Sequence, residues 1–215
     1  MQRSILVGLT LLVALIFSQQ VELTSLDLGR HLANGREIWN DSGLLFKNFY
    51  SYTEPDFPFV NHHWLSGVVY YAAYLAGGFT LLSFLNIALW LAAAVIAWKL
   101  ARKRAGFYWA AVLALPASLL LARRTDIRPE VFSYVFILLV WLFLERTADD
   151  GKLKRLAWLI PLFAIWANLH IYFFAGLALL AFWSTARFAP PAWEKLWGGS
   201  GAGEVWQAGW QAARE

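Results

Sequence analysis

Five apolar runs, separated by short polar segments, set the pattern of the chain: residues 4–20, 79–98, 106–122, 131–144 and 156–183. Apolar runs of about 17–25 residues are typical of helices that cross the roughly 30 Å hydrocarbon core of a bilayer. The last run is too long for one span, and Asn168 and His170 interrupt it, which predicts a hairpin of two short spans with the turn NLH. The pattern therefore predicts six transmembrane helices, at about 4–20, 79–98, 106–122, 129–145, 154–169 and 171–186.

A shorter apolar segment, NHHWLSGVVYYAAYLAGG, occupies residues 61–78. Its apolar part covers about 14 residues, or about 21 Å of helix, which is too short to cross the bilayer. Asn61 is the predicted N-cap of this helix and Gly77 its predicted C-terminal stop. We expect a juxtamembrane helix that lies on the bilayer surface.

The Lys and Arg residues predict how the spans are oriented. The first run resembles a signal peptide, but the SQQVE that follows lacks a small-x-small cleavage pattern, so we expect a retained first span. With the N-terminus inside, the predicted inner segments hold twelve Lys and Arg residues and the outer segments hold six, as the positive-inside rule requires. Residues 21–78 then form a large outer loop, and the expected location is the cytoplasmic (inner) membrane.

The composition agrees with a membrane protein. Of the 215 residues, 60% are hydrophobic and 15% are charged, whereas soluble domains are about 45–50% apolar and about 25% charged. The absence of Cys excludes disulfides, zinc–thiolate sites and a thiol nucleophile. The net charge of +4 fits membrane orientation better than nucleic-acid binding. We predict an all-α multi-span membrane protein whose large first extracytoplasmic loop contains juxtamembrane helices.

The outer loop opens with an amphipathic segment that carries the first candidate site. If residues 25–39 are helical, Asp27, His31 and Asn34 share one face at i, i+4 and i+7. Two structural alternatives compete with a catalytic role. Taken alone, Asp27 is better explained as the N3 residue of a capping box that begins at Thr24, and His31 as a solvated helix residue.

A second polar cluster follows the predicted third span. Three arginines at the outer leaflet are suited to clamp a phosphate or pyrophosphate by bidentate hydrogen bonds. Salt bridges to the neighbouring carboxylates, together with snorkelling, explain them equally well. The substrate-binding candidates of this cluster are Arg123, Arg124, Asp126 and Arg128, and Glu130 is a further salt-bridge partner.

Two further clusters are predicted on the outer face. His62 and His63 are adjacent, so their side chains point about 100° apart on a helix; one is expected to bind substrate or carry a proton, and the other to be structural. Asn168 and His170 are polar residues near membrane depth, which are functional candidates by default, although a turn also requires polar residues. The predicted topology brings all four clusters to one face, as expected of a site for a lipid-linked phosphate substrate.

The order of these segments resembles the GT-C superfamily of integral-membrane glycosyltransferases, in the bacterial branch of the aminoarabinose and protein mannosyl transferases. The likeness rests on the acidic helix DLGRHLANGREIW from Asp27, on the segment from Asn61, on FTLLSFLNIALWLAAAVIAWKLARKR from Phe79, and on RTDIRPEVFSY from Arg124. It covers about residues 1–186. Residues 187–215, rich in Trp and Gly, are predicted to be an interfacial or flexible tail.

The resemblance implies an activity. Asp27, assisted by His31, would be the catalytic base while the sugar of a polyprenyl-phosphate donor moves to a glycan, lipid or protein acceptor. The arginines would neutralise the departing lipid phosphate. Many relatives have a second acid where Leu28 stands here, so no metal site is predicted and the use of a divalent metal stays open. Relatives have more spans, so we expect a fragment, a truncated homologue, or half of an enzyme completed by a second chain.

Two other classes of function compete with this interpretation. The first is a non-catalytic lipid-binding or scaffold subunit of the same fold. The second is a transporter, which is disfavoured because the predicted spans hold no charged groups in their interior and the chain has no internal repeat. No nucleic-acid partner is expected.

Overall fold

The computed structural model describes residues 2–18, 23, 26–54, 57–121 and 126–197. All regular secondary structure in these residues is helical, as the sequence predicts. Six α-helices follow one another: α1 (Gln2–Ser18), α2 (Leu26–Asn40), α3 (Trp64–Leu121), α4 (Glu130–Asp150), α5 (Leu159–Leu169) and α6 (Phe173–Trp197). Two short 3₁₀ helices, Ser42–Phe46 and Leu153–Trp158, precede α3 and α5.

Glycines divide α3 into three segments, which we call α3a (64–76), α3b (79–105) and α3c (107–121). Gly78 has φ +61° and Gly106 has φ +76°, in the left-handed region that residues with a Cβ rarely adopt. The predicted stop at Gly77 therefore coincides with a real break in the helix. The predicted N-cap is wrong, because the helix begins at Trp64 and the side chain of Asn61 donates instead to Asn34.

Two helices, α3 and α4, are long and apolar enough to cross a membrane, whereas α1 and residues Phe173–Phe188 of α6 are apolar but shorter. The predicted span 79–98 lies in α3b, α3c covers residues 107–121 of the predicted span 106–122, and α4 covers residues 130–145 of the predicted span 129–145. Large apolar side chains such as Trp109, Leu120 and Ile160 are 67%, 71% and 73% exposed, which suits contact with lipid.

The region predicted as the hairpin differs in detail from the expectation. Residues 154–169 contain a 3₁₀ turn followed by α5, and α5 has 11 residues, or about 16 Å of helix. The turn that follows comprises His170–Tyr172 and not Asn168–His170, because α5 continues through Leu169. Helix α6 runs to Trp197, past the predicted boundary at residue 186, and the rest of the predicted tail lies outside the described residues.

The described residues up to Phe173 form one compact unit, and those from Phe174 onward form a second. The core of the first unit joins α1, α2, α3, α4 and α5. Phe17 of α1 stacks on Trp90 of α3b with ring centroids 5.6 Å apart, and Tyr70 of α3a lies 5.7 Å from Phe132 of α4. These contacts bring α2, α3a, the N-terminal end of α4 and the C-terminal end of α5 together, and all candidate site residues that the structure describes lie there.

Helix α2 crosses α3a at two glycines. A Cβ on Gly35 would collide with the carbonyl of Gly67 and lie 2.9 Å from the Cβ of Tyr71, and a Cβ on Gly67 would lie 2.9 Å from the His31 carbonyl oxygen. Backbone therefore touches backbone at this crossing. The close approach fixes the face of α2 that carries His31 against α3a.

The opposite ends of α3b and α4 are joined by charges. The Nζ atom of Lys103 lies 2.7 Å from Glu145 Oε2 and 2.7 Å from Asp149 Oδ2, and Arg104 reaches the other oxygen of Glu145 at 2.8 Å. Exposed pairs of this kind contribute about 0.2–1 kcal/mol each. These ion pairs link the C-terminal ends of α3b and α4, far from the candidate site.

Candidate functional site

Asp27 lies in the first turn of α2 and faces two arginines. Its Oδ1 is 3.8 Å from Nη2 of Arg30, and its Oδ2 is 3.5 Å from Nε of Arg128. Nη2 of Arg128 is 2.7 Å from Oδ2 of Asp126. Asp27 and Arg128, predicted from separate clusters, are thus in contact. The capping-box partners Thr24 and Ser25 lie outside the described residues.

The predicted polar face of α2 is present, and two of its members, His31 and Asn34, point inward. The side chain of His31 is 3% exposed and stands edge-on to the ring of Tyr70, with centroids 6.1 Å apart. Asn34 is also buried, and its Oδ1 accepts a 2.7 Å hydrogen bond from Nδ2 of Asn61. The interpretation of His31 as a solvated surface residue is therefore wrong.

Burial also sets the protonation of His31. It lowers the pKa of His31 from 6.5 to about 4; the Arg30 guanidinium lowers that pKa further, and the Asp27 carboxylate opposes the change. A group with this pKa is neutral at pH 7. His31 can therefore accept or donate a hydrogen bond through its ring nitrogens without adding a charge to the site.

The remaining histidines gather beside α2. The rings of His63 and His170 stack with centroids 5.4 Å apart, and the His62 ring lies 4.0 Å from that of His63. Burial, then the neighbouring His62, lowers the pKa of His63 to about 4, so His63 is neutral at pH 7. Its Nδ1 atom is buried without a hydrogen-bond partner, whereas His62 is exposed.

Hydrogen bonds tie the end of α5 to α3a and α4. Nε1 of Trp64 donates to Oδ1 of Asn168 at 2.7 Å. Nε1 of Trp166 donates to Oγ of Ser133 at 2.7 Å, and the same hydroxyl lies 2.8 Å from Nδ1 of His170. The hydroxyl hydrogen of Ser133 is then free to donate to His170. Burial lowers the pKa of His170 as well.

The structure thus brings most of the predicted residues together. Asp27, Asp126 and Arg128 form one charged group, and buried His31 lies beside it with half-buried His63 and His170; His31 and His63 are neutral at pH 7. Arg123 and Arg124 lie outside the described residues. Among the residues that the structure does describe, no three His, Asp or Glu side chains are arranged to hold a metal ion.

Four residues that contribute to the site were not singled out as candidates. Arg30 follows Asp27 at the i+3 spacing of a helical ion pair, which is a local signal. Ser133 is a hydroxyl within the apolar α4, and Trp64 follows the two histidines directly. Tyr70 is 1% exposed and its hydroxyl has no hydrogen-bond partner in the described structure.

The chemistry available at this site follows from its charges. The side chains of Asp27 and Arg128 are 40% and 42% exposed, so a ligand can reach both. A carboxylate can accept a proton, and a guanidinium beside it can bind a phosphate oxygen. Proton transfer and anion binding are therefore available side by side, next to imidazoles that carry no charge at pH 7.

The comparisons with known proteins give no relative from which a function could be transferred. Comparisons of the chain with protein-family models, with curated proteins and with solved structures found no match.

Proposed function

We propose that this chain is a membrane glycosyltransferase of the GT-C type, which moves a sugar from a polyprenyl-phosphate donor to a glycan, lipid or protein acceptor at the extracytoplasmic face. The observation that carries the proposal is the contact between the carboxylate of Asp27, in the first turn of α2, and the guanidinium of Arg128, just before the apolar helix α4. A base and an anion-binding group are the two functions that this transfer requires.

The reaction divides the work between these residues. An acceptor hydroxyl attacks the anomeric carbon of the sugar, and the bond from that carbon to the phosphate oxygen breaks. The bonding electrons leave with the polyprenyl phosphate, whose charge Arg128 stabilises, and the hydroxyl proton moves to Asp27. His31, one helical turn from Asp27 and neutral because of its low pKa, would orient the acceptor by a hydrogen bond.

The other candidates would line the donor side of the site. His63 offers a buried ring nitrogen without a partner, and Asn168 and His170 lie at the end of α5 beside it. Exposed His62 would meet the ligand at the entrance, and Arg123 and Arg124 would add to the phosphate contacts of Arg128. A divalent metal would need ligands beyond the His, Asp and Glu side chains that the structure describes.

The proposal includes the topology of the chain. The chain would cross the inner membrane six times with its N-terminus inside, and the loop at about 21–78 would lie outside. The excess of Lys and Arg in the inner segments and the apolar surfaces of α3 and α4 support this arrangement. A second chain would complete the fold if activity requires more spans.

The substitution Asp27→Asn tests the catalytic role. It removes the ionisable group while keeping the shape and hydrogen-bonding oxygen of a side chain that is 40% exposed. We expect sugar transfer from polyprenyl-phosphate donors to fall by at least about 100-fold, the lower range for general-base catalysis. Membrane insertion and Tm should stay close to those of the wild type.

Glu37→Gln is the matched control, because Glu37 lies on the same helix and pairs with its neighbour Arg36 at 2.8 Å. It removes the same charge away from Arg128, so transfer should be unchanged. Near-normal turnover by the Asp27→Asn variant would show that Asp27 is structural and would refute the catalytic role.

A second function is favoured by the same ion pairs. Each oxygen of Asp27 already faces an arginine, and Arg128 also pairs with Asp126, as in a cluster that merely holds helices together. This supports a non-catalytic lipid-binding or scaffold subunit. Such a subunit would transfer no sugar in the wild type, and Asp27→Asn would lower its Tm, which separates the two functions.

A further inference from the structure

Arg128 is held by two carboxylates, and the two contacts differ in quality. Nη2 lies 2.7 Å from Asp126, which is the distance of a strong charged hydrogen bond. Nε lies 3.5 Å from Asp27 and, although buried, has no hydrogen-bond partner in the described structure. Asp126 therefore anchors the guanidinium, and the edge that carries Nε is held to Asp27 by charge alone.

Asp27 likewise lies between two charged partners, Arg128 and Arg30. Its second oxygen is 3.8 Å from Arg30, again beyond hydrogen-bond distance. Asp27 is thus an anion between two cations, with neither donor at bonding distance. A phosphate oxygen that displaces the Asp27 side chain could approach the Nε edge of Arg128 more closely than the 3.5 Å of Asp27, because a free ligand is not tethered to α2.

From this geometry we propose that Asp27 is an internal latch: in the unliganded protein it occupies the anion position of Arg128, and a phosphate group displaces it. The ligand class is a phosphomonoester or phosphodiester, either the headgroup of a lipid or a free phosphate. As an account of how the catalytic site is regulated, the latch rests on the function proposed above; as a competition for Arg128 it can be measured without any transfer reaction.

The latch has a consequence for the order of events. While Asp27 faces Arg128, its carboxylate is held in that charge contact and is not placed to meet an acceptor. Once a phosphate has taken Arg128, the carboxylate is released from the contact and can face the acceptor hydroxyl. The donor would therefore bind first and release the base, and an acceptor that arrives without a donor would not be activated.

Phosphate affinity distinguishes a latch from a simple base. The probes are farnesyl phosphate and inorganic phosphate, titrated calorimetrically against the full chain in phosphatidylcholine nanodiscs. Asp27→Asn removes the internal competitor, so the Kd for farnesyl phosphate should fall by about 2- to 5-fold, as expected for the loss of one partly exposed ion pair. Arg128→Ala should raise the same Kd by about 10-fold or more.

The double variant supplies the decisive comparison. In the Arg128→Ala background, Asp27→Asn should not increase the affinity for farnesyl phosphate, because the two residues act through one contact. Glu37→Gln controls for the loss of one negative charge from α2 and should leave the Kd unchanged. If Asp27→Asn increases the affinity for farnesyl phosphate alone, the site is one for a lipid headgroup. If it increases the affinity for both probes equally, the site is one for free phosphate.

Several results would overturn the latch. The first is an unchanged or higher Kd for farnesyl phosphate in Asp27→Asn. The second is an increase in affinity that persists in the Arg128→Ala background or that Glu37→Gln also produces. The third is no binding of either probe to any variant. The proposed function is tested separately. If Asp27→Asn binds farnesyl phosphate more tightly but the wild type transfers no sugar, the latch is supported and the glycosyltransferase function is refuted. If transfer depends on Asp27 but Asp27→Asn gains no affinity, the enzyme stands and the latch does not.

Discussion

His31 and His63 are imidazoles that burial keeps neutral. The pKa of each is lowered from 6.5 to about 4, with burial as the largest cause in both cases. The groups that face them are Arg30 and Asp27 on α2 and the rings of His62 and His170. At the residue scale, the site therefore places exposed charges beside His31, which is buried, and His63, which is half-buried.

The low pKa values predict loss of stability in acid. As the pH falls below about 6.5, the unfolded chain binds protons at these histidines and the folded chain does not, so the free energy of unfolding decreases until about pH 4. Above about pH 6.5 these two groups contribute no pH dependence. The Tm measured in detergent should fall as the pH is lowered from 7.5 to 4.5. The dependence of Tm on pH should be weaker in the His31→Gln variant.

His62→Gln is the comparison for that experiment, because the side chain of His62 is exposed and is a smaller cause than burial of the low pKa of His63. It should flatten the dependence of Tm on pH less than His31→Gln does. A His31→Gln variant with the full acid slope would mean that other groups cause the effect.

Ser133 tests the hydrogen bonds at the end of α5. Ser133→Ala leaves the Nε1–H of Trp166, a residue that is 0% exposed, without its acceptor, and His170 without its donor. The free energy of unfolding should fall by about 1–3 kcal/mol, the cost of an unsatisfied buried group. Ser83→Ala, which removes a bond to the Phe79 carbonyl within α3b, should have a much smaller effect in the same denaturation assay.

At the scale of elements, the site depends on how α2 meets α3a. The two helices touch at Gly35 and Gly67, and this contact brings His31 against Tyr70. The break at Gly77 and Gly78 then lets α3b leave in a new direction. Charges, histidines and aromatic rings from four elements meet because this crossing is tight.

A methyl group at the crossing should separate the helices. In Gly35→Ala the new Cβ meets the Gly67 carbonyl and the Cβ of Tyr71, and neither moves without shifting a helix. The expected loss is about 1–3 kcal/mol in the free energy of unfolding, as for other overpacked sites. Gly29→Ala on the same helix meets nothing within 4 Å and should raise stability by up to about 1 kcal/mol. Equal effects of the two substitutions would contradict the close crossing.

At the scale of the whole molecule, function depends on which side of the membrane the site occupies. Tyr52 in the loop after α2 is 93% exposed, and Lys152 lies in the exposed turn after α4. The proposed topology puts Tyr52 outside and Lys152 inside. Because the chain contains no Cys, single cysteines report on the two sides without background.

An impermeant maleimide applied to intact cells tests this orientation. It should label Tyr52→Cys and leave Lys152→Cys unlabelled until the membrane is permeabilised. Labelling after permeabilisation controls for accessibility in each variant. The reverse pattern would contradict both the outer location of the site and the use of an outer-leaflet donor.

The sequence by itself determined the features that depend on neighbouring residues. The apolar runs predicted the helical class, and a helical period put Asp27, His31 and Asn34 on one face of α2. Gly77 marked the end of α3a because a glycine favours a break. These features follow from local backbone geometry and side-chain spacing, which can be deduced from the amino-acid sequence alone.

Only the tertiary structure decided how distant residues meet. The pairing of Asp27 with Arg128, the bond from Asn61 to Asn34, and the link from Ser133 to His170 and Trp166 join residues on different elements. Each depends on the angle and depth at which helices pack, to which many side chains contribute. The burial that keeps His31 and His63 neutral has the same origin, because a histidine loses its water only when other helices cover it.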